Sequence, residues 1–598
     1  MDSARPSPRP SPRHFSRHLG FGVYELDLHA GELRKLGVKV KLQPKPLALL
    51  AILLENPGEV VTREELRNRL WADTFVDEHG LSNAVNKVRL ALSDTAENPR
   101  FVETLAKRGY RFIAPVRRPA EKEPSGKAMI AVLPFANPDG DPKNEYFVDG
   151  MTDEMISSLA ATNPQRLGVI ARTSAMRYKN AELSLEQVAR ELRVEYVLEG
   201  SVRRTARKVR ISARLIQSSD QMQTWANTYE SAVKDVLTLQ ADVAAQIAKA
   251  LAVELIPENK KRMQRPATGS FRAYDLYMKG RYHWSKRTEA GFQQALESFY
   301  QAAEIDPGYA LANAGIADCY AVFGFYGFLS PREAYEKAKA FAKRALESDS
   351  RLPEAHSTLA FATLQYDWDW PAAEKGHRHA MALNENYAPA HHWYGIDLTQ
   401  MGMFHDALTE LRVAERLDPF ASAVQAQIGW LFYFSRDFGR AMEQLQRTVE
   451  ADPSFALARY FLGMAYTQSK DHAAAVRELK EAVEQTESHP ACVAALAAAL
   501  QCAGKPAEAR KAVKQLDKLA EKRHVSPYYM AFARSGNGEA DDIVPWLEKA
   551  FAEKSGWMLY LKIEPAFDAV RADPRIRALL AQVDPLRGPA KAKKAGAR

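Results

Sequence analysis

Residues 81–92 read LSNAVNKVRLAL, and FVETLAKRGYRFIAPV follows at residues 101–116. At helical period Leu81, Ala84, Val85, Val88, Ala91 and Leu92 form one apolar face, which predicts an amphipathic helix. Asn83, Asn86 and Lys87 recur at i, i+3 and i+4 on the other side, flanked by Ser82 and Arg89. An Asn amide can pair bidentately with adenine, and Lys or Arg with guanine, in the major groove of DNA. The second segment predicts two short strands around a tight turn at residues 106–109, with Lys107 and Arg108 at its tip. These polar and basic residues are candidates for nucleic-acid contact. They also suit a solvated helix face beside an ordinary hairpin.

Upstream, residues 21–45 alternate as strands do and are interrupted at Gly31 and Gly37. The run PLALLAILLENPG from Pro46 predicts a buried helix closed by Pro57-Gly58. Thr62, with Glu65 three residues on, predicts the capped start of a second helix that ends near Trp71. Strands, helix, helix, polar-faced helix and hairpin thus follow one another within residues 19–116.

This order resembles the OmpR/PhoB-type winged-helix effector domain, with the likeness carried by KLQPKPLALLAILLENPGEVVTREELRNRLW, NAVNKVRLAL and RGYRF. The resemblance implies that the third helix enters the major groove of double-stranded DNA and that the wing reaches the neighbouring minor groove. It implies Asn83, Asn86, Lys87 and Arg89 as helix contacts, with Lys107 and Arg108 on the wing, and flanking Ser82 is a further candidate DNA contact. Tyr110 and Phe112 are expected to pack the wing. Two departures matter. Asn86-Lys87 stands where the family often has two arginines, and Lys107-Arg108-Gly109-Tyr110 stands where it commonly has Gly-x-Gly-Tyr. A homodimer on tandem half-sites is a further implication. Only the short arm at residues 1–18 precedes this domain, so no phosphoacceptor receiver is expected ahead of it.

At 598 residues the chain is expected to hold several domains, since single cores rarely grow past roughly 250–300 residues. Its net charge of +8 is gathered partly at the ends, in Arg5, Arg9, Arg13 and Arg17 and again in Arg587, Lys591, Lys593, Lys594 and Arg598. Residues 1–18 and 584–598 therefore read as disordered basic arms. Three cysteines, none at zinc-type spacing, fit a reducing cytoplasm. The linker at 117–127, RRPAEKEPSGK, holds nothing that could enter a bilayer, and no run of about 20 apolar residues occurs elsewhere. No membrane association is expected.

Residues 128–256 alternate strand-like and helix-like segments, which predicts an α/β domain. IAVLPFANPDGDPKNEYFVDGMTDEMISSLA, YVLEGSVRR, VRISARLI and the TWANTYE tract make it similar to the TolB-like amino-terminal domain of bacterial adenylate cyclases and tetratricopeptide regulators. That resemblance implies a sensing or docking module. Asp139, Asp141, Asp149, Asp153 and Glu154 are close in sequence, but their spacing is not that of a calcium loop, and Asp153-Glu154 suits a helix start. There is no P-loop and no Gly-x-Gly-x-x-Gly after a strand. No catalysis, cofactor or metal is expected.

From 274 to 521 a period of 34 governs the chain. Gly395, Gly429 and Gly463 obey it, as do Ala407, Ala441 and Ala475, Leu411, Leu445 and Leu479, and the Asp418-Pro419 and Asp452-Pro453 pairs. This is the tetratricopeptide signature, and it predicts six or seven helix pairs. His377, His379, His391 and His392 lack companion ligands at obvious spacing, and Tyr366, Trp368 and Trp370 read as packing aromatics. Residues 522–583 predict a helical cap, with Trp546, Trp557 and Phe567 closing the end of the solenoid. The concave groove is expected to take a protein partner. The fold class expected is multidomain α+β: winged helix, α/β domain, all-α solenoid. The function expected is a cytoplasmic, sequence-specific transcriptional regulator whose C-terminal domains sense a signal or bind partners. The alternatives are an interaction scaffold with secondary DNA binding, and a cyclase-type enzyme for which no catalytic segment is present.

Overall fold

A computed structural model describes residues 18–583 apart from 22–23, 28–31, 36–37, 41, 56–57, 59, 71–77, 93, 96–98, 100, 106–107, 115, 118–126, 182, 254–255, 257–258 and 260–266. Lys107, the basic arms, most of the linker and the end of the second helix near Trp71 lie outside the described residues. Two units are distinguished, residues 1–125 and 126–598.

The first unit opens with β1 (His18–Phe21), β2 (Tyr24–Asp27), β3 (Glu32–Lys35) and β4 (Val38–Val40), an antiparallel meander. Leu26 stands opposite Leu33, and Leu33 opposite Val40, so the apolar residues form a row across the sheet. Leu26 and Leu33 are fully buried in that row. Next come α1 (Pro44–Glu55), β5 (Val60–Thr62), α2 (Arg63–Leu70) and α3 (Glu78–Leu92). Proline is tolerated in the first turn of α1, where its missing N–H would have no helical partner. The Thr62 hydroxyl accepts the Glu65 N–H at 3.1 Å and caps α2, as its sequence predicts. β6 (Val102–Leu105) and β7 (Gly109–Phe112) form the hairpin, and β5 joins it as a third strand in the order β5-β7-β6. β8 (Val116–Arg117) returns to pair with β1.

The second unit begins with β9 (Ala128–Val132), α4 (Glu145–Thr162), β10 (Leu167–Val169), α5 (Arg172–Met176), α6 (Leu185–Leu192), β11 (Tyr196–Arg204), β12 (Lys208–Gln217), β13 (Gln223–Ala232) and α7 (Val236–Ala250). The sheet order is β10-β9-β11-β12-β13, parallel across its first three strands and antiparallel beyond. α4 and α7 cover one face with Met151, Met155, Val243 and Ile247, while α6 covers part of the other with Val188 and Leu192.

Seven helix pairs follow: α8 (Phe271–Trp284) with α9 (Glu289–Ile305), α10 (Ala310–Phe325) with α11 (Pro331–Ser348), α12 (Pro353–Ala362) with α13 (Trp370–Leu383), α14 (Ala388–Gln400) with α15 (Phe404–Leu417), α16 (Ser422–Phe434) with α17 (Phe438–Ala451), α18 (Ala456–Gln468) with α19 (His472–Gln485), and α20 (Pro490–Cys502) with α21 (Pro506–Ala520). The 34-residue period has a direct steric cause. A Cβ added at Gly395, Gly429 or Gly463 would lie 2.7, 2.5 or 2.4 Å from the Cγ of Leu411, Leu445 or Leu479 on the paired helix. Gly429→Ala is therefore expected to destabilise the repeats by about 1–2 kcal/mol, because over-packing against fully buried Leu445 outweighs the helix propensity gained. The midpoint of thermal unfolding checks it.

The α/β domain is locked to the repeats. Asp418, from one of the Asp-Pro pairs, accepts the N–H and the hydroxyl of Ser174 at 2.9 and 2.6 Å, at the start of α5. The Ala171 N–H donates to Leu417 O at 2.7 Å, and Asn386 donates to Leu167 O at 2.6 Å. Arg281 on α8 pairs with buried Asp153 on α4 at 3.0 Å.

One expectation is corrected here. After α22 (Pro527–Phe532) and α23 (Ala540–Ala552), and before α24 (Pro574–Val583), residues 556–568 do not cap an open end. They fill the inner side of the coil, which the first helices of successive pairs line. Trp557 packs on Phe325 of α10 and on Trp430 of α16, at ring distances of 5.7 and 5.6 Å. Tyr560 stacks on Phe434 at 4.8 Å, and Phe567 is fully buried. The His489 ring meets Tyr326 O at 2.8 Å, so the seventh pair reaches back to the second. The groove expected to receive a partner is occupied by the chain itself across these pairs. Trp546 differs from Trp557 and Phe567, since it stacks with Arg534 and Lys549 instead.

Within this filling, burial pushes the Glu564 carboxyl up to about 7, partly offset by bonds from the Tyr433 hydroxyl and the Ala566 N–H. A carboxyl that holds its proton more tightly when folded contributes stability fully below the unfolded value, near 4.3, and loses it as pH rises through about 7. Repeat stability is thus expected to fall between about pH 5 and pH 8, by about 3 kcal/mol from this group. Glu564→Gln should flatten that slope, melting higher than wild type at pH 8 and alike at pH 4.

Candidate nucleic-acid interface

α3 sets its two faces by burial. Leu81, Ala84, Val85, Val88 and Leu92 are 5 % exposed or less and pack on α1, α2 and the hairpin. Asn83, Asn86 and Lys87 point outward and are exposed, while Ser82 is half-buried at the edge of the same face. Lys87 Nζ donates to Gln43 Oε1 at 2.8 Å, which holds its long side chain at the helix surface. Arg108 is exposed at the wing turn, and its N–H closes that turn on Leu105 O at 3.0 Å. The structure thus brings Asn83, Asn86 and Lys87 onto one stripe.

Arg89 does not join them. Only 7 % of it is exposed, and its guanidinium donates to Val102 O at 2.7 and 3.3 Å and to Thr104 Oγ1 at 2.8 Å. The expectation of a DNA contact at Arg89 is corrected: the side chain bolts α3 to the first wing strand. Helical phase explains why, since position 89 directly follows buried Val88 and turns toward the hairpin. A second brace crosses the same junction, where buried Asp94 accepts the N–H groups of Phe101 and Val102 at 3.2 and 2.8 Å. Val102 is thus held from both sides. Arg89→Ala is expected to destabilise the first unit by about 2–3 kcal/mol, because a charged buried donor is removed. A base-reading Arg89 would instead lose DNA selectivity with no change in melting, and the two measurements separate these outcomes.

The wing is built to stay close to the body. A Cβ at Gly109 would lie 2.1 Å from Val61 O, so only glycine lets β7 pair with β5 at this point. Tyr110 and Phe112 are buried, with the Arg63 guanidinium over the Tyr110 ring at 5.4 Å. Glu103 and Arg111 bridge the two wing strands at 2.6 Å. Sequence reasoning missed Gln43 as a partner of Lys87, because nothing in local spacing joins residues 44 positions apart.

Elsewhere the titratable clusters disperse into separate pairs. Asp139 meets Arg203, Asp149 meets Lys179, and Asp141 accepts the Lys143 N–H. His377 bonds Asp397 at 2.9 Å, His391 bonds Glu410 at 2.6 Å, and the His379 ring rests edge-on against His356. Burial drives His392 down to about 3, which keeps it neutral. Trp370 stacks on Tyr394, and Trp368 packs on Phe551. Among the described residues no group of three or more His, Cys, Asp or Glu is arranged to hold a metal ion, and no helix is long and apolar enough to cross a membrane.

Residues 37–112 match the family model "Transcriptional regulatory protein, C terminal", and residues 126–246 match "HilA/YgeH-like transcriptional regulator, second domain". The chain is 31% identical over 316 residues to a putative adenylate cyclase 3 of Rhizobium meliloti, covering 52% of this chain and 51% of that protein. It thus spans about half the length of that relative. It is 24% identical over 407 residues to the transcriptional regulator HilA of Salmonella typhimurium, covering 68% of this chain and 71% of that one. Among solved structures, the human IFIT1 dimer with m7Gppp-AAAA covers 52% of this chain and 77% of its own at 14% identity, with a TM-score of 0.38. The first unit therefore carries an OmpR/PhoB-type DNA-binding domain, and the segment that follows is similar to the second domain of HilA/YgeH-like transcriptional regulators.

Proposed function

We propose that the protein is a sequence-specific, DNA-binding transcriptional regulator acting in the cytoplasm. The observation that carries this is the outward stripe of Asn83, Asn86 and Lys87 on a helix braced twice to a wing that presents Arg108. Asn83, Asn86 and Lys87 read base edges in the major groove, while Ser82, Lys107 and Arg108 contact backbone phosphates. Two protomers occupy tandem half-sites. The α/β domain, TolB-like in its sequence, forms one sensing body with the repeats and receives a signal or protein partner on surfaces other than the filled inner face. No catalytic step is assigned to it. The filled groove counts against a scaffold whose main task is peptide capture.

The test is selection of duplexes from a random pool by the full chain, followed by gel-shift titration of the recovered site at several salt concentrations. The reading requires a recovered consensus and a preference for it over unrelated duplex of at least about 10³-fold. Recovery of no consensus, or equal binding to all duplexes, would overturn it.

A further inference from the structure

Among the described residues, the most exposed of the large apolar side chains lies where an apolar side chain is least expected. Leu90 is 80% exposed, whereas the other exposed large hydrophobics among the described residues, Met222, Leu183, Ile113 and Ile305, range from 39% to 63%. Its position is the telling part. Leu90 follows Asn83 by seven residues, Asn86 by four and Lys87 by three, so it extends their stripe along α3. Its neighbours on either side are committed elsewhere, Arg89 to the wing and Ala91 to the core. The stripe facing outward is therefore amide, amide, ammonium and isobutyl.

We infer that Leu90 is a specificity-determining residue that reads the C5-methyl group of a thymine. This rests on the assignment of α3 as the helix that enters the major groove. On the base edges exposed in that groove of unmodified DNA, thymine presents the apolar group, and aliphatic side chains contact it directly. Amides and an ammonium read polar edges, so the fourth residue complements the one feature that they cannot read. The rise of a helix, about 1.5 Å per residue, places Leu90 about 4.5 Å beyond Lys87, close to one base-pair step of about 3.4 Å. The thymine is thus expected within about one or two steps of the base pair that Lys87 reads. Water released from the methyl and from the leucine supplies the preference. A lysine here would bind any sequence through phosphate, whereas a leucine gains only where the methyl is present.

The experiment uses the full chain and the site recovered by selection. Each thymine is replaced in turn by deoxyuridine, which removes the methyl group and leaves base pairing intact. Wild type is expected to lose about threefold to tenfold in affinity at one thymine per half-site. Leu90→Ala is expected to show that loss already on the unmodified site and to be indifferent to deoxyuridine there. Its melting should equal wild type, since the side chain is 80% exposed and lies outside the core of the first unit. If Leu90→Ala binds the site as tightly as wild type with the same sensitivity to deoxyuridine, the inference is overturned. It is also overturned if the variant keeps DNA affinity but loses self-association, which would make Leu90 a contact between copies. Failure of wild type to recover any consensus removes the major-groove assignment itself, a result distinct from either.

Discussion

Alanine at both Asn86 and Lys87 is expected to abolish most of the preference for the selected site, by about 10²- to 10³-fold, with little change in binding to unrelated duplex. Each well-placed pairing with a base edge discriminates by about 1–3 kcal/mol, and two such contacts are removed together. Both side chains are exposed, and neither supports the core, so the first unit should melt normally. Arg108→Ala should behave in the opposite way. Losing one phosphate contact weakens all duplexes about equally and lowers the slope of log affinity against log salt by about one. Gel-shift titrations on matched and scrambled duplexes distinguish the two patterns. A double variant that keeps its preference would remove these residues from the reading face.

Trp430→Ala is expected to destabilise the repeats by about 3–5 kcal/mol, the range for removing a large aromatic from a packed core. Trp430 is 1% exposed and lies on α16 against Trp557 and Tyr560. Its ring stacks on Phe461 at 4.2 Å and contacts Phe434, Tyr560 and Trp557 at 4.9, 4.8 and 5.6 Å. Its loss should lower the thermal midpoint and raise hydrogen exchange at residues 556–568, which lean on it. An inner face open to partners would predict a smaller stability cost and no change in exchange there. With Asp418 seated on α5 and residues 556–568 packed along the first helices of the pairs, the α/β domain and the repeats are joined by direct hydrogen bonds and aromatic contacts fill the coil.

Much of this architecture follows from local chemistry. The recurrence of apolar residues at helical period is enough to place α3 and its two faces, because the phase of that stripe is a property of the helix alone. The period of 34 marks the repeats, because each glycine has to admit the same leucine of the paired helix. Thr62 and Glu65 announce a helix start through one short-range bond. Tertiary structure decided what depends on residues distant in the chain. Arg89 looks like Lys87 in sequence, yet it serves the wing, since Val102 and Thr104 stand beside it only after the hairpin folds back. Leu90 falls outside the apolar face of α3, and only the folded domain shows a core complete without it. Trp557 and Phe567 read as a cap until the coil turns far enough for His489 to reach Tyr326 and enclose them. Period and capping are short-range, so the sequence by itself determined the elements and the two faces of α3. Which charged residue is spent on structure, and what fills the coil, depended on contacts between residues 13 to more than 200 positions apart, which only the folded chain brings together.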